Sequence, residues 1–218
     1  MSNSKIKAIL FDNDGTIVDS EETILKSAKH TLQTGLGIKN PDLQEFRKLV
    51  GLPSIDQFLR YTDDRKKAEE LVAIYRADNH SSVESQIKNY DGMIEVLEEL
   101  KKQGFYLGIV TSKKRDVCVR GLKYLGLYDY FEYIQGSDDW PVHKPDPGAL
   151  SHACEAIGCK PEEVLYVGDS SYDVDSGNGA GCKTCAVLWG FFEKEWLIPS
   201  NPDYFAEVPS DLLDIVKK

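Results

Sequence analysis

Apolar and polar positions fall into two regimes along the chain. Short apolar runs at 6–11, 105–110, 164–167 and 185–189 are bounded by polar or glycine-containing turns, the pattern of strands buried on both faces. Between them, apolar residues recur at helical spacing. Met93, Val96, Leu97 and Leu100 stand at i, i+3, i+4 and i+7, in a helix expected to stop at Gly104. Helices are also expected over 117–125, 147–157 (with Pro147 in the first turn), about 173–181 and 211–216, and short strands at 133–135 and 204–206. Strands alternating with helices of this length predict βαβ units: an α/β fold, a parallel sheet with helices on both faces.

The block from 18 to 88 is different, with no strand-like run. Asp19 and Glu22 have capping-box spacing ahead of an amphipathic stretch, 24–32, that ends at Gly35. Residues 42–80 carry apolar residues such as Leu71, Ile74 and Tyr75 at helical spacing, interrupted at Gly51-Leu-Pro-Ser54. The expected organisation is a core over 1–17 and 89–218 with a helical insert over 18–88.

Composition narrows the function. The 218 residues carry 26 Lys+Arg against 36 Asp+Glu, a net charge of −10. That balance disfavours nucleic-acid binding and docking to anionic membranes, which need a basic face. No run approaches the roughly 20 apolar residues of a membrane span, and no apolar run of signal-peptide length stands at the start; a cytoplasmic location is expected. Five cysteines cannot all pair internally. Cys182-Lys-Thr-Cys185 lacks partner ligands for zinc and leads into a strand, where a redox pair would follow one, so both are expected to be core residues.

In an open parallel sheet, ligands gather at the carboxyl ends of the strands. The first strand ends in Asp12-Asn-Asp14, the strand at 105–110 in Thr111-Ser112, and the strand at 164–167 in Gly168-Asp169-Ser-Ser-Tyr-Asp173; Lys144 lies in a loop before a helix. Four carboxylates on one rim repel by about 4 kcal/mol per close pair at an effective dielectric of 20, so a cation must offset them. Oxygen ligands without histidine or cysteine suit Mg²⁺. Asp12, Asp14, Asp169 and Asp173 sum to −4; Mg²⁺ and Lys144 give +3. A protonated Asp14 brings the sum to zero and holds a proton ready for a leaving group. The residues therefore point to Mg²⁺-assisted phosphoryl transfer, with one carboxylate as nucleophile and another as acid–base.

Phe11-Asp-Asn-Asp-Gly-Thr16, Val110-Thr-Ser112, Lys144-Pro145 and Gly168-Asp-Ser-Ser-Tyr-Asp173 resemble, in order, the four motifs of the haloacid dehalogenase-like hydrolase superfamily. The resemblance implies a Rossmann-like three-layer α/β/α core with strand order 3-2-1-4-5 and a helical cap inserted after the first motif. It implies Asp12 as the nucleophile that forms an aspartyl-phosphate and Asp14 as general acid, then base. It implies Thr111 as a donor to the phosphoryl group, Ser112 as a second donor through its hydroxyl or N–H, and Lys144 as the cation on nucleophile and phosphate. Mg²⁺ would be held by Asp12, the Asp14 backbone carbonyl and Asp169, with Asp173 orienting Lys144 or a water on the metal. Asn13 departs from the apolar residue more usual there and is expected to face away from the chemistry.

Single residues choose among the family's activities. Asp14 argues against dehalogenation. Ser54 falls where phosphonate-cleaving relatives carry a Schiff-base lysine, and Ile24 where β-phosphoglucomutase-like members carry a histidine. Val50 and Ser54 replace the mutases' cations around the cap glycine. A regulatory homologue without turnover would be expected to lack Asp12 or Asp169. What remains is hydrolysis of a small phosphate ester. The pattern is most like the phosphoglycolate phosphatases, with pyrophosphate, sugar-phosphate and nucleotide hydrolases as alternatives. Arg47, Lys48 and Arg60 are candidates to meet a small carboxylate or second phosphate from the cap, although a solvated helix-face charge is the more ordinary role for any one of them. The enzyme is expected to act as a monomer or homodimer, with hinges at about 16–18 and 86–92.

Overall fold

The computed structural model describes residues 5–217, the side chains of residues 80–85 excepted. In chain order the elements are β1 (Ala8–Phe11), β2 (Val18–Asp19), α1 (Glu21–Leu36), α2 (Leu43–Arg47), α3 (Ser54–Phe58), α4 (Arg65–Gln86), β3 (Lys88–Asn89), α5 (Met93–Lys102), β4 (Tyr106–Val110), α6 (Arg115–Tyr124), β5 (Tyr133–Gln135), α7 (Gly148–Ile157), β6 (Val164–Gly168), α8 (Ser171–Ala180), β7 (Lys183–Val187), α9 (Lys194–Leu197), β8 (Tyr204–Ala206) and α10 (Leu212–Ile215).

Six strands form one sheet in the order β5-β4-β1-β6-β7-β8, every pairing parallel. Counting β1, β4, β5, β6 and β7 as first to fifth, this is the expected 3-2-1-4-5 order, and β8 adds a sixth strand at the edge. Successive residues alternate between two buried faces, as the period of 2 requires. Ile9, Phe11, Leu107, Ile109, Leu165 and Val167 pack with α5, α6 and α10 in one apolar cluster. Ala8, Leu10, Val110, Val164 and Tyr166 pack with α7 on the other face. The predicted stripe on α5, Met93, Val96, Leu97 and Leu100, is fully buried or nearly so.

Between β2 and β3 the described backbone is helical, α1 to α4. A separate apolar cluster of α1, α2, α3 and α4 extends to Val174, Phe191, Phe192 and Leu197. Two expectations fail at α1. Asp19 does not cap it: Asp19 pairs with Lys88 and Val18 with Asn89 in a two-stranded antiparallel ribbon, and the helix begins after Ser20. Nor does α1 end at Gly35. It runs to Leu36 and stops at Gly37, which has φ 70°. Gly35 is where α4 comes closest, since a Cβ there would lie 2.2 Å from Leu71 Cδ2.

The C-x-x-C pair is core, as expected. Cys182 packs in the α7-side cluster and Cys185 in the opposite one, both as free thiols. No helix among the described residues is long and apolar enough to cross a membrane.

Leu97 has no exposed surface. Leu97→Ala is expected to lower stability by about 2–5 kcal/mol, read as a shift of the urea midpoint at unchanged slope.

Candidate active site

The carboxyl ends of β1 and β6 lie side by side, with Phe11 opposite Val167. This adjacency brings Asp12 and Asp169 together from positions 157 residues apart. Asp12, Asp169 and Asp173 are all buried, and each offers a carboxylate oxygen within 4.8 Å of the others. Lys144 reaches them from the loop before α7. Its Nζ donates to Asp173 Oδ1 at 2.5 Å and lies 3.0 Å from Asp12 Oδ1.

The surrounding bonds settle what each carboxylate can still do. Asp173 sits in the first turn of α8, where Ser170 caps the helix. Its Oδ2 accepts from the Ser170 N–H at 3.0 Å and hydroxyl at 2.6 Å, and its Oδ1 faces Lys144. Both oxygens are taken, which suits a residue that orients Lys144. Asp169 Oδ2 accepts from the Phe191 N–H at 2.7 Å, leaving its other oxygen for a ligand. Asp12 Oδ1 is buried and makes an ion contact with Lys144 without hydrogen-bond geometry.

Burial, then the neighbouring carboxylates Asp173 and Asp14, push the Asp12 carboxyl up to about 6 against the pull of Lys144. Burial, then Asp173 and Asp12, lift Asp169 well above the usual carboxylate range. Burial opposes the charge on Lys144, but Asp12 and Asp173 outweigh it and hold the ammonium well above its ordinary value. This cluster is short of positive charge. A divalent cation between Asp12 and Asp169 fits both the donor chemistry and the under-bonded Asp12 oxygen.

Asp14 lies at the mouth of the cluster, held by a residue that the sequence reasoning missed. Lys113 Nζ donates to both of its oxygens, at 2.8 and 3.0 Å, and the Ser20 hydroxyl donates to Oδ1 at 2.7 Å. Counting Lys113, the formal charges of the side chains sum to −2, which one divalent cation would balance. Without Lys113 the same sum with that cation leaves −1. The leftover −1 in that sum, next to a lysine directly after Thr111-Ser112, was the signal. Tyr166 was missed as well. Its hydroxyl, under the cluster on β6, donates to the Val110 carbonyl at 2.8 Å and accepts from Lys144 at 3.1 Å. A tyrosine in an otherwise aliphatic strand was its signal.

Asp12, Asp14, Thr111 and Ser112 line one cavity of about 310 Å³. Ile24, Val50, Ser54 and Tyr75 from the helical segment line it too, so Ile24 and Ser54 stand in the site without histidine or lysine chemistry. The Thr111 hydroxyl accepts from the Lys113 N–H at 3.2 Å, and its own proton points to no partner among the described residues. Asn13 turns away as expected; its Oδ1 faces the Cys118 thiol at 3.4 Å.

The three candidate cap cations do not line this cavity. Arg47 pairs with Glu21 at 2.6 Å, and Lys48 pairs with Glu45 at 2.6 Å and lies over the Trp196 ring. Arg60 faces a separate open groove. Arg76 of α4 lines the cavity instead, with Lys113 and Lys114. Helical periodicity placed α4 but did not show which of its cations faces inward.

A family model for haloacid dehalogenase-like hydrolases matches residues 9–187. The chain is 38% identical over 217 residues to pyrophosphatase PpaX of Bacillus velezensis, covering 99% of this chain and 98% of the relative. It is 38% identical over 212 residues to pyrophosphatase PpaX of Halalkalibacterium halodurans, covering 97% of each. A crystal structure of a predicted phosphatase from Clostridium acetobutylicum superposes with a TM-score of 0.90 at 30% identity, over 99% of this chain and 100% of that one. Motifs, sheet order and these likenesses converge: the chain belongs to the haloacid dehalogenase-like hydrolase family, as a hydrolase of the phosphatase class.

Proposed function

We propose that the protein hydrolyses a small phosphate substrate through an aspartyl-phosphate on Asp12, with Mg²⁺ between Asp12 and Asp169, and that pyrophosphate is the preferred substrate. The observation that carries the chemistry is the buried Asp12–Lys144–Asp173 chain beside Asp169, opening on the cavity that Asp14 shares. The preference for pyrophosphate draws on the relatives named above and on Arg76, Lys113 and Lys114 lining that cavity, which suit a second phosphate as leaving group. This places an alternative from the sequence reading ahead of phosphoglycolate.

Lys144 holds the nucleophilic carboxylate ionised and in place. The free Asp12 oxygen attacks phosphorus, and the bond from phosphorus to the leaving oxygen breaks. Thr111 donates its hydroxyl to the transferring group, Ser112 offers its N–H, and Lys144 offsets the developing charge. Asp12 and Asp169 would hold the Mg²⁺ ion, which when bound would supply charge neutralisation on the phosphoryl oxygens. Asp14 gives its proton to the departing phosphate. It then takes a proton from water, which attacks the aspartyl-phosphate and frees Asp12. Lys113 and Ser20, both bonded to Asp14, keep its carboxyl in place for both steps. The segment 18–88 acts as the cap over the cavity, hinged at the β2–β3 ribbon where both of its connections run together.

Asp12→Asn and Asp169→Asn are each expected to cut kcat by about 10³-fold or more, measured as phosphate release from pyrophosphate. Added Mg²⁺ is expected to raise the melting temperature of the resting protein, and Asp169→Asn to remove that rise. Lys113→Met removes a charged donor worth about 1.5–3 kcal/mol, so kcat/KM should fall roughly 10- to 150-fold. A substrate panel tests the preference: a phosphoglycolate or hexose-phosphate kcat/KM tenfold above that for pyrophosphate would overturn it while leaving the phosphatase assignment standing.

A further inference from the structure

The loop between α2 and α3 meets the catalytic loops at two points. The Ser112 hydroxyl donates to the Gly51 carbonyl at 2.6 Å, and the Tyr172 hydroxyl donates to the Lys48 carbonyl at 3.0 Å. The two acceptors are backbone groups three residues apart in one loop of the helical segment. The two donors come from different core loops, and each stands next to a working residue: Ser112 beside Thr111, Tyr172 beside Asp173.

The loop is built to lie this close. Gly51 has φ +103°, a conformation L side chains rarely adopt, and a Cβ there would lie 3.0 Å from Ser170 Oγ and 3.1 Å from Tyr172 Cδ2. A serine hydroxyl has one proton. While it is donated to Gly51, it is not available to a phosphoryl oxygen, and the Ser112 N–H is the donor left for substrate. Tyr172 does not line the cavity at all.

We propose that Ser112 and Tyr172 are positioning residues that latch the Gly51 loop shut over the site, so that closure is read by the same two loops that present Thr111 and Asp173. The proposal deepens the function given above and rests on reading the segment 18–88 as a cap. Because both acceptors are carbonyls, the latch is indifferent to the substrate. It adds to binding of every substrate by the same factor, without changing the chemical step once closed.

Hydrogen–deuterium exchange of the peptide 47–54 in the resting protein, with Ser112→Ala and Tyr172→Phe, tests the latch without any turnover. Loss of one partly buried hydrogen bond is expected to speed exchange there roughly three- to tenfold in each variant. In kinetics, Tyr172→Phe is expected to raise KM by a similar factor for pyrophosphate and for p-nitrophenyl phosphate, with kcat within twofold of the parent. Unchanged exchange in both variants would overturn the proposal. So would faster exchange in Ser112→Ala alone, or a Ser112→Ala enzyme that loses kcat at constant KM, since the hydroxyl would then act on the reacting group. Should Ser112→Ala fail to fold, Tyr172→Phe, which removes a single oxygen, decides by itself. Should no phosphate compound be turned over, the function above fails, and exchange still decides the latch.

Discussion

Everything at this site depends on one ammonium group, Lys144, held between two buried carboxylates. Its side chain is 2% exposed, and those of Asp12 and Asp173 are 5% and 1% exposed. Removing any of these charges from water is costly, and a lone pair of them would barely break even. The group persists because Lys144 and Asp173 are each bonded more than once. Asp173 is tied to Ser170, and Lys144 is tied to Tyr166 and so to the Val110 carbonyl. Those bonds fix the lysine, and the lysine fixes one oxygen of Asp12. Asp12 is thereby held by a layer rooted in β1, β4, β6 and α8.

That layer explains why the fold has to be this one. Asp12, Thr111 and Asp169 follow three adjacent parallel strands, β1, β4 and β6, whose connections lead away to opposite halves of the sheet. A crevice forms where the strand order reverses, and ligands bind there in open α/β sheets. The acidic rim that results is two charges short of neutral even with Lys113 and Lys144 in place. Burial first, and then the neighbouring carboxylates, raise the proton affinities of Asp12 and Asp169. One divalent cation closes the balance and leaves room for an anionic substrate.

The parts legible in the sequence were those governed by local pattern. Short aliphatic runs gave β1, β4, β6 and β7, and the stripe Met93, Val96, Leu97 and Leu100 gave α5. Strand ends marked Asp12, Thr111 and Asp169. The misreadings share a cause: a partner far away in the chain. Asp19 looks like a helix cap because the helix is adjacent, whereas its strand partner, Lys88, is 69 residues on. Gly35 looks like a helix stop because its neighbour Leu71 lies on another helix. Arg47 looks free because Glu21 and the Gly190 carbonyl, which engage it, cannot be seen from its own segment. Lys113 was within reach of reasoning, since the unbalanced charge required a cation and a lysine stood beside Ser112.

Charge strength also gives the helical segment a purpose beyond shape. Two unit charges 4 Å apart interact by about 1 kcal/mol in water and about 4 kcal/mol at an effective dielectric of 20. The cations lining the cavity are therefore weak aids in the open and strong ones once water is excluded. Ile24, Val50 and Tyr75 bring apolar surface over Asp12 and Asp14 from the far side of the β2–β3 ribbon. The segment thus completes the electrostatics of a site to which it contributes no nucleophile, acid or metal carboxylate. The four motifs consequently identify the family from sequence, while the cavity wall opposite them includes side chains such as Arg76, whose inward orientation is set only when α4 is packed.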